Sequence, residues 1–517
     1  MIDKGILSQV HDVLSSLVNE YTLLVHAGKN DDRGREMHEF VNDLASSAPK
    51  LHKEDKVDGS YSFDLLKNGT PTGISFRGIP NGHEFSSLLL AILNADGKGK
   101  NLPDEVLRGR IGRVKGPIDF KTYVSLSCTN CPDVVQALNV LTLLRPDFSH
   151  EMVDGAEFQK EVEDLDIQAV PTVYANGEIL HIGRGNLGTL LEEVEDKFGS
   201  EKSNDGTAED LKYDVVIIGG GPAGASAAIY CARKALKTAI IAGRIGGQVN
   251  DTTGIENLIS VPKTSGRELA AALKKHIDEY NIDVFDNRSV TGIEWADDER
   301  RVKVKGGETF AARAVIITTG ASWRRLGVEG ESQYLGHGIH FCPHCDGPFY
   351  KGRRVAVVGG GNSGIEAAID LAAIASHVTV VEFLDTLRAD RILIDKAKSL
   401  GNVNILTSRQ TMEVKGDGTT LKSLAIKDRK TEEISDLEVD GVFVQIGLSP
   451  NSDFVRDLLE LSPRHEIIVD EHCRTSRKGI YAAGDVTNVP FKQIIIAMGE
   501  GAKAALSVNE DIIRGVI

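Results

Sequence analysis

The chain has 517 residues and carries 59 basic against 75 acidic side chains, a net charge of −16. That length holds several domains with cores of their own, and the acidic balance excludes a general nucleic-acid or anionic-membrane surface. No apolar run approaches the roughly 18 residues of a membrane span.

From Met1 to Glu20, Ile6, Leu7, Val10, Val13, Leu14, Leu17 and Val18 recur at helical spacing with no cleavage site behind them. An amphipathic helix is expected rather than a signal peptide, and with it a cytoplasmic chain, where cysteine pairs are more often catalytic than structural. Tyr21 to Val25 reads as a buried strand, a further alternation follows at Ser60 to Leu66, and Ile74 to Gly78 leads into an apolar stretch from Phe85 to Leu93. A second unit repeats this ending: a hairpin from Val173 to Glu178 turns on Asn176-Gly177, and a helix follows from Leu187 to Phe198. Two related α/β units are therefore expected, residues 1–102 and 103–198. The first has no cysteine and reads as a catalytically empty copy. In the second, the strand from Phe120 to Ser127 runs into Cys128-Thr129-Asn130-Cys131, which opens a helix. A thiol at a helix N-terminus gains from the backbone dipole and the free N–H groups, which stabilise its thiolate.

Residues 199–212 are polar and glycine-containing and read as a linker. Tyr213 to Ile218 is then an apolar strand ending in Gly219-Gly220-Gly221-Pro222-Ala223-Gly224 and a small-residue helix. Gly219, Gly221 and Gly224 permit the tight turn and close backbone approach that place a pyrophosphate on a helix N-terminus. The acid usually found on the ribose is missing, since the next strand runs into Gly243-Arg244; Gly246-Gly247-Gln248 follows. Ala314 to Gly320 is a strand leaving this domain. Between the two fingerprints lies Cys342-Pro343-His344-Cys345-Asp346, a second dithiol with an acid directly behind it to move the proton that thiol chemistry requires. Gly359, Gly361 and Gly364 form a second fingerprint after the strand Arg354 to Val358, and its next strand ends at Glu382, where a ribose-binding acid belongs. Arg388 is the nearest cation in the sequence. Gly447 to Asn451 returns to the first domain, which closes with Ile480 to Asp485, containing Gly484 and Asp485, and a last helix in which Glu500 reads as a solvated residue. Cys231 and Cys473 are read as packing residues. A four-thiolate zinc site would need both pairs close together, and each pair has its own redox context, so no metal site is expected.

Strand, dithiol, helix and a Val170-Pro171-Thr172 ahead of a hairpin resemble the thioredoxin and glutaredoxin family, which implies that Pro171 is cis and lies against the dithiol. From Lys212 onward the order Gly-Gly-Gly-Pro-Ala-Gly, Cys-Pro-His-Cys-Asp, Gly-Gly-Gly-Asn-Ser-Gly, Ala-Ala-Gly-Asp resembles the low-molecular-weight thioredoxin reductases. With the tandem front half, the whole chain is similar to the flavoprotein subunits of bacterial alkyl hydroperoxide reductases. The resemblance implies an α/β fold of tandem thioredoxin-like domains followed by two Rossmann-like (three-layer ββα) domains. The FAD domain would be residues 213–326 and 451–517, with an NADH domain at 327–450 inserted in it. It implies non-covalent FAD held by Gly219, Gly221, Gly224, Gly247, Gln248, Gly320, Gly484 and Asp485, and NADH held by Gly359, Gly361, Gly364 and Glu382. Cys345 would contact the flavin, Cys342 would exchange with the front half, and Asp346 would be the acid/base. Cys128 would attack the partner, a peroxiredoxin, and Cys131 would resolve; a homodimer is implied as well. Two alternatives remain at this point: a reductase of thioredoxin-like or glutaredoxin-like proteins with a fused carrier, and a dithiol redox sensor without turnover.

Overall fold

A computed structural model of the chain describes residues 2–517 except 100–101, 129, 168, 202–210, 253–254, 256–257, 296–298, 332–333, 335–337, 342 and 418–419, with only the backbone of Lys4, Asp251, His344, Cys345 and Leu448. It forms two compact units, Met1–Lys202 with Arg325–Ile446, and Ser203–Arg324 with Gly447–Ile517. Most of the expected linker lies outside the described residues.

In the first unit, Asp3 caps the amphipathic helix Lys4–Leu14 by accepting the Gly5 N–H at 2.8 Å, and Val10 and Leu14 are buried in the core. The two thioredoxin-like copies follow. Strand Tyr21–Val25 pairs in parallel with Leu51–Asp55 and antiparallel with Ser62–Lys67, which forms a hairpin with Thr70–Arg77. The second copy repeats this order with Ile118–Val124, Phe148–Asp154, Thr172–Ala175 and Glu178–Ile182. Asn176 and Gly177 take φ of 51° and 81°, the left-handed pair that a two-residue hairpin requires. The copies are not separate layers. Thr70–Arg77 pairs in parallel with Phe148–Asp154, Ile74 opposite His150 and Arg77 opposite Val153, so eight strands form one continuous sheet.

The segment Arg325–Ile446 has its own parallel sheet, ordered Ile339–His340, Gly441–Val444, Arg354–Val358, His377–Val381, Val403–Leu406. A three-stranded antiparallel sheet, Arg409–Gly416, Leu421–Asp428 and Ile434–Glu438, lies beside it in the chain.

In the second unit the parallel strands Ile282–Phe285, Thr238–Ile241, Leu211–Ile218, Thr309–Ile317 and Ile480–Ala482 carry an antiparallel extension of Val290–Trp295 and Arg300–Val304. Alanines along Pro222–Ala232 let the long helix Ile494–Ile513 approach closely: a Cβ on Gly501 would lie 2.0 Å from the Ala223 carbonyl oxygen. Glu500 on that helix is not simply solvated, because its carboxylate accepts the Cys473 thiol at 3.3 Å and pairs with Lys503 at 2.8 Å. Burial pushes the Cys231 and Cys473 thiols up to about 12 each, in keeping with packing roles. The chain leaves and re-enters this unit through two paired strands, Ala321–Trp323 antiparallel to Leu448–Pro450.

Candidate active site and dinucleotide cradles

The two glycine fingerprints are built alike. Gly219 and Gly359 take φ of 111° and 122°, and a Cβ on either would strike a backbone oxygen, Thr318 O at 2.3 Å or Gln445 O at 2.2 Å. A Cβ on Gly224 would lie 2.0 Å from Gly219 O, and one on Gly364 2.0 Å from Gly359 O. At the middle glycines, Gly221 and Gly361, an added Cβ would meet nothing within 4 Å, and both are helix N-caps without a side-chain cap. Each helix thus presents N–H groups without a capping side chain to open space in front of a glycine. That is the cradle a dinucleotide pyrophosphate fits.

Around the first cradle the structure gathers the other residues expected there. Gly247 (φ 54°) comes within 3.1 Å of the Gly221 Cα, measured from its would-be Cβ, and Gln248 lies in the same short turn, Gly247–Asp251. Gly484 (φ 79°) stands 3.0 Å from the Ala223 Cβ by the same measure. Burial holds the neighbouring Asp485 carboxyl above its usual range, with Lys492 opposing the shift. Gly320 (φ 68°) carries a carbonyl that accepts the Asn451 N–H at 3.0 Å. Beside Gly220 the place of a ribose acid is taken by the Arg244 carbonyl oxygen, 2.8 Å from a would-be Cβ.

The second cradle has its acid. Glu382 is buried, and its carboxylate accepts the Gly360 N–H and, at 2.7 Å, the Leu384 N–H. The loop returns so that the Arg388 N–H reaches Gly360 O at 2.9 Å. Another cation, missed in the sequence, stands nearby: the Arg429 guanidinium lies 3.8 Å over the Phe383 ring and donates to the Phe383 carbonyl at 2.8 Å.

The front dithiol sits in a buried compartment to which both thioredoxin copies contribute. The helix begins at Cys131, not Cys128, and the Cys131 N–H donates to Cys128 Sγ at 3.2 Å. The Cys128 thiol is held below its usual range, chiefly by the Cys131 side chain, against burial and the nearby Asp346 charge. Burial drives Cys131 well above, helped by Cys128 and then Glu84. The Val170–Pro171 peptide is cis, and the Val170 carbonyl lies 3.9 Å from Cys128 Sγ. Glu84 was not foreseen. It comes from the cysteine-free copy, is 0 % exposed, and accepts the Ser87 hydroxyl at 2.6 Å on Oε2; among the described residues Oε1 has no hydrogen-bond partner. Burial, with a smaller push from Cys128 and Asp133, raises its carboxyl to about 8. The first copy thus lends a buried carboxyl to the surroundings of the dithiol. The local hint was an acid placed directly ahead of an apolar helix, Phe85–Ala95.

Cys342 lies outside the described residues, and of Cys345 only the backbone is described, in the short helix Pro343–Asp346. Asp346 is placed: its Oδ2 lies 3.2 Å from Nδ1 of the buried His340.

Comparison with known proteins shows the family. The pyridine nucleotide-disulphide oxidoreductase family matches residues 213–501, and a thioredoxin domain family matches residues 118–195. The F-type subunit of alkyl hydroperoxide reductase in Pseudomonas aeruginosa is 46% identical, covering 99% of both chains. The chain belongs to this F-type family of alkyl hydroperoxide reductase subunits. The protein named NADH dehydrogenase in Bacillus subtilis is 44% identical, over 99% of this chain and 100% of its own. Among solved structures, thioredoxin reductase of Lactococcus lactis matches with a TM-score of 0.55 at 36% identity, over 58% of this chain and 99% of its own. As a family member the chain is an FAD-dependent disulfide reductase that uses a nicotinamide dinucleotide, and the two cradles fit those groups. Among the described residues, no helix is long and apolar enough to cross a membrane.

Proposed function

We propose that the chain passes electrons from NADH through FAD to Cys342-Cys345, then to Cys128-Cys131, and on to a peroxiredoxin that reduces alkyl hydroperoxides and hydrogen peroxide. The observation that carries this reading is the Cys128-Cys131 compartment with its Glu84. One thiol is held low, ready to attack, and the other is held high beside an acid able to trade protons near neutral pH. Two names among the relatives, a hydroperoxide reductase subunit and an NADH dehydrogenase, support the two ends of the relay.

Gly219, Gly221 and Gly224 would hold FAD and Gly359, Gly361 and Gly364 would hold NADH; bound there, the pair would supply the two electrons that reduce the Cys342-Cys345 disulfide. From there the steps belong to the chain's own residues. Cys342 sulfur attacks Cys128; the Cys128-Cys131 bond breaks, and Cys131 leaves with a proton from Glu84. Cys345 then attacks Cys342, gives its proton to Asp346, and frees Cys128 as a thiolate. Cys128 next attacks the partner disulfide, breaking its S–S bond and releasing one partner sulfur as a thiolate; Cys131 then bonds to Cys128 as its proton returns to Glu84, the Cys128–partner bond breaks, and the second partner sulfur leaves as a thiolate. Each exchange oxidises one dithiol by two electrons and reduces the next.

We place the protein in the cytoplasm, where reduced nicotinamide is supplied, and read it as a homodimer. Support for a second copy is the exposed apolar surface of Leu506 and Ile513 on Ile494–Ile513 and of Tyr230 on Pro222–Ala232. Steady NADH oxidation that requires both a peroxide and a peroxiredoxin tests the function. No NADH oxidation with any disulfide acceptor would leave only a redox sensor.

A further inference from the structure

Asp346 does not stand alone behind its dithiol. His340 is 2% exposed and ends the strand Ile339–His340, paired in parallel with Phe443. Its ring lies 5.3 Å from the tilted Phe443 ring and 5.2 Å from that of Tyr350, which meets it edge-on. Among the described residues, each of its nitrogens meets one polar group: Nδ1 lies 3.2 Å from Asp346 Oδ2, and Nε2 lies 2.6 Å from the Tyr350 hydroxyl. Tyr350 cannot shift easily, because its ring presses on Gly441, where an added Cβ would come within 2.3 Å of it. Burial, and then the Asp346 charge, hold the Tyr350 proton far more tightly than usual. The Asp346 carboxylate can only accept, so the ring proton facing it sits on Nδ1, and Nε2 accepts the Tyr350 hydroxyl. A neutral imidazole that accepts at Nε2 carries its proton on Nδ1, and so donates to Asp346.

We propose that His340 is a positioning residue for Asp346: its Nδ1–H fixes Oδ2 and leaves Oδ1 for the proton exchanged with the adjoining dithiol. This rests on the reading of Asp346 as the acid/base. In the step concerned, the Cys345 sulfur bonds to Cys342, the Cys342–Cys128 bond breaks, the Cys345 proton passes to Oδ1, and the electron pair leaves on Cys128. His340 and Tyr350 keep their own protons throughout. Packing alone would be satisfied by any flat ring at position 340. Positioning needs a donor aimed at the carboxylate.

The test uses the full-length FAD-loaded chain with both dithiols oxidised, mixed rapidly with NADH. Flavin bleaching reports the first step, and acid quench, alkylation and mass spectrometry report how fast Cys128 and Cys131 become thiols. His340→Phe should leave bleaching unchanged and slow the appearance of the thiols about tenfold, the rate equivalent of one hydrogen bond to a charged group. His340→Gln, which can donate to the carboxylate and accept from Tyr350, should restore most of the rate. Asp346→Asn should be slow by itself, and adding His340→Phe to it should slow it no further. Tyr350→Phe keeps the ring on Gly441 and removes only the hydroxyl. It should cost a smaller factor, also absent in the Asp346→Asn background, and it serves if His340→Phe does not fold. Thiol formation in His340→Phe within twofold of the unchanged protein, or losses that simply multiply in the double variant, would overturn the proposal while sparing Asp346. An Asp346→Asn variant as fast as the unchanged protein would remove the underlying reading and the proposal with it.

Discussion

Glu84 and Cys131 belong to different thioredoxin copies, yet they share one buried compartment, and Glu84, once ionised, raises the Cys131 thiol further above its usual range. The dithiol is thus tuned across the seam of a duplication.

That coupling predicts a pH dependence with a definite sign. Glu84 in the folded chain titrates near 8, whereas an unfolded glutamate titrates near its ordinary value of 4.5. Between those values the folded state holds a proton the unfolded state has released, so stability falls as pH rises from about 5 to about 8. Glu84→Gln should remove that slope, and its stabilising effect should grow over this window to the order of a few kcal/mol in denaturant titrations. The same variant should slow transfer from Cys128-Cys131 to a disulfide partner, because Cys131 loses its proton acceptor.

The relay predicts a clean separation of steps. Cys128→Ser or Cys131→Ser should abolish peroxiredoxin reduction and leave flavin bleaching by NADH intact. Unchanged peroxiredoxin turnover in both variants would sink the relay.

Nicotinamide choice follows from Glu382. With its carboxylate anchored on the Gly360 and Leu384 N–H groups, it can still accept ribose hydroxyls, but it repels a 2'-phosphate. NADH should be preferred over NADPH by at least tenfold in kcat/KM, about 1.4 kcal/mol or more. Glu382→Arg with Phe383→Arg should narrow or reverse the preference. Its effect will include the release of Arg429 from the Phe383 ring. Equal use of both nicotinamides by the unchanged protein would show that Glu382 does not face the ribose.

Rotation of the inserted domain about the paired strands Ala321–Trp323 and Leu448–Pro450 is expected, since dithiol and nicotinamide must take turns at one flavin. Gly447 at their junction has φ 95° and nothing near its would-be Cβ, so Gly447→Ala acts on the backbone alone. It should change the steady-state kcat more than the single-turnover rate of flavin bleaching. A covalent cross-link between the two strand-linked domains that left turnover untouched would argue against rotation.

The fingerprints, the front dithiol and the hairpin at Asn176-Gly177 were legible in the sequence because each is a short-range demand: a glycine where no Cβ fits, a cysteine spacing, a turn pair. Helix Leu187–Phe198 was read to the residue for the same reason. What escaped depends on distant chain. Glu84 reaches the dithiol only once helix Phe85–Ala95 packs on Cys131–Leu144, and His340 finds Tyr350 only through the register with Phe443. Arg429 lies far along the chain from Phe383, so along the sequence Arg388 was the nearer cation. The start of the dithiol helix was displaced because Cys128 serves as an acceptor for the Cys131 N–H and so stands ahead of the helix.

The seam between the thioredoxin copies is a row of backbone bonds, from Ile74 opposite His150 to Arg77 opposite Val153. Removing the cysteine-free copy would strip the dithiol of Glu84 and bare a strand edge together with the apolar face of Cys131–Leu144, a combination that invites aggregation. The cysteine-free copy thus serves the dithiol twice, as the neighbour that covers its strand edge and as the source of its buried carboxyl.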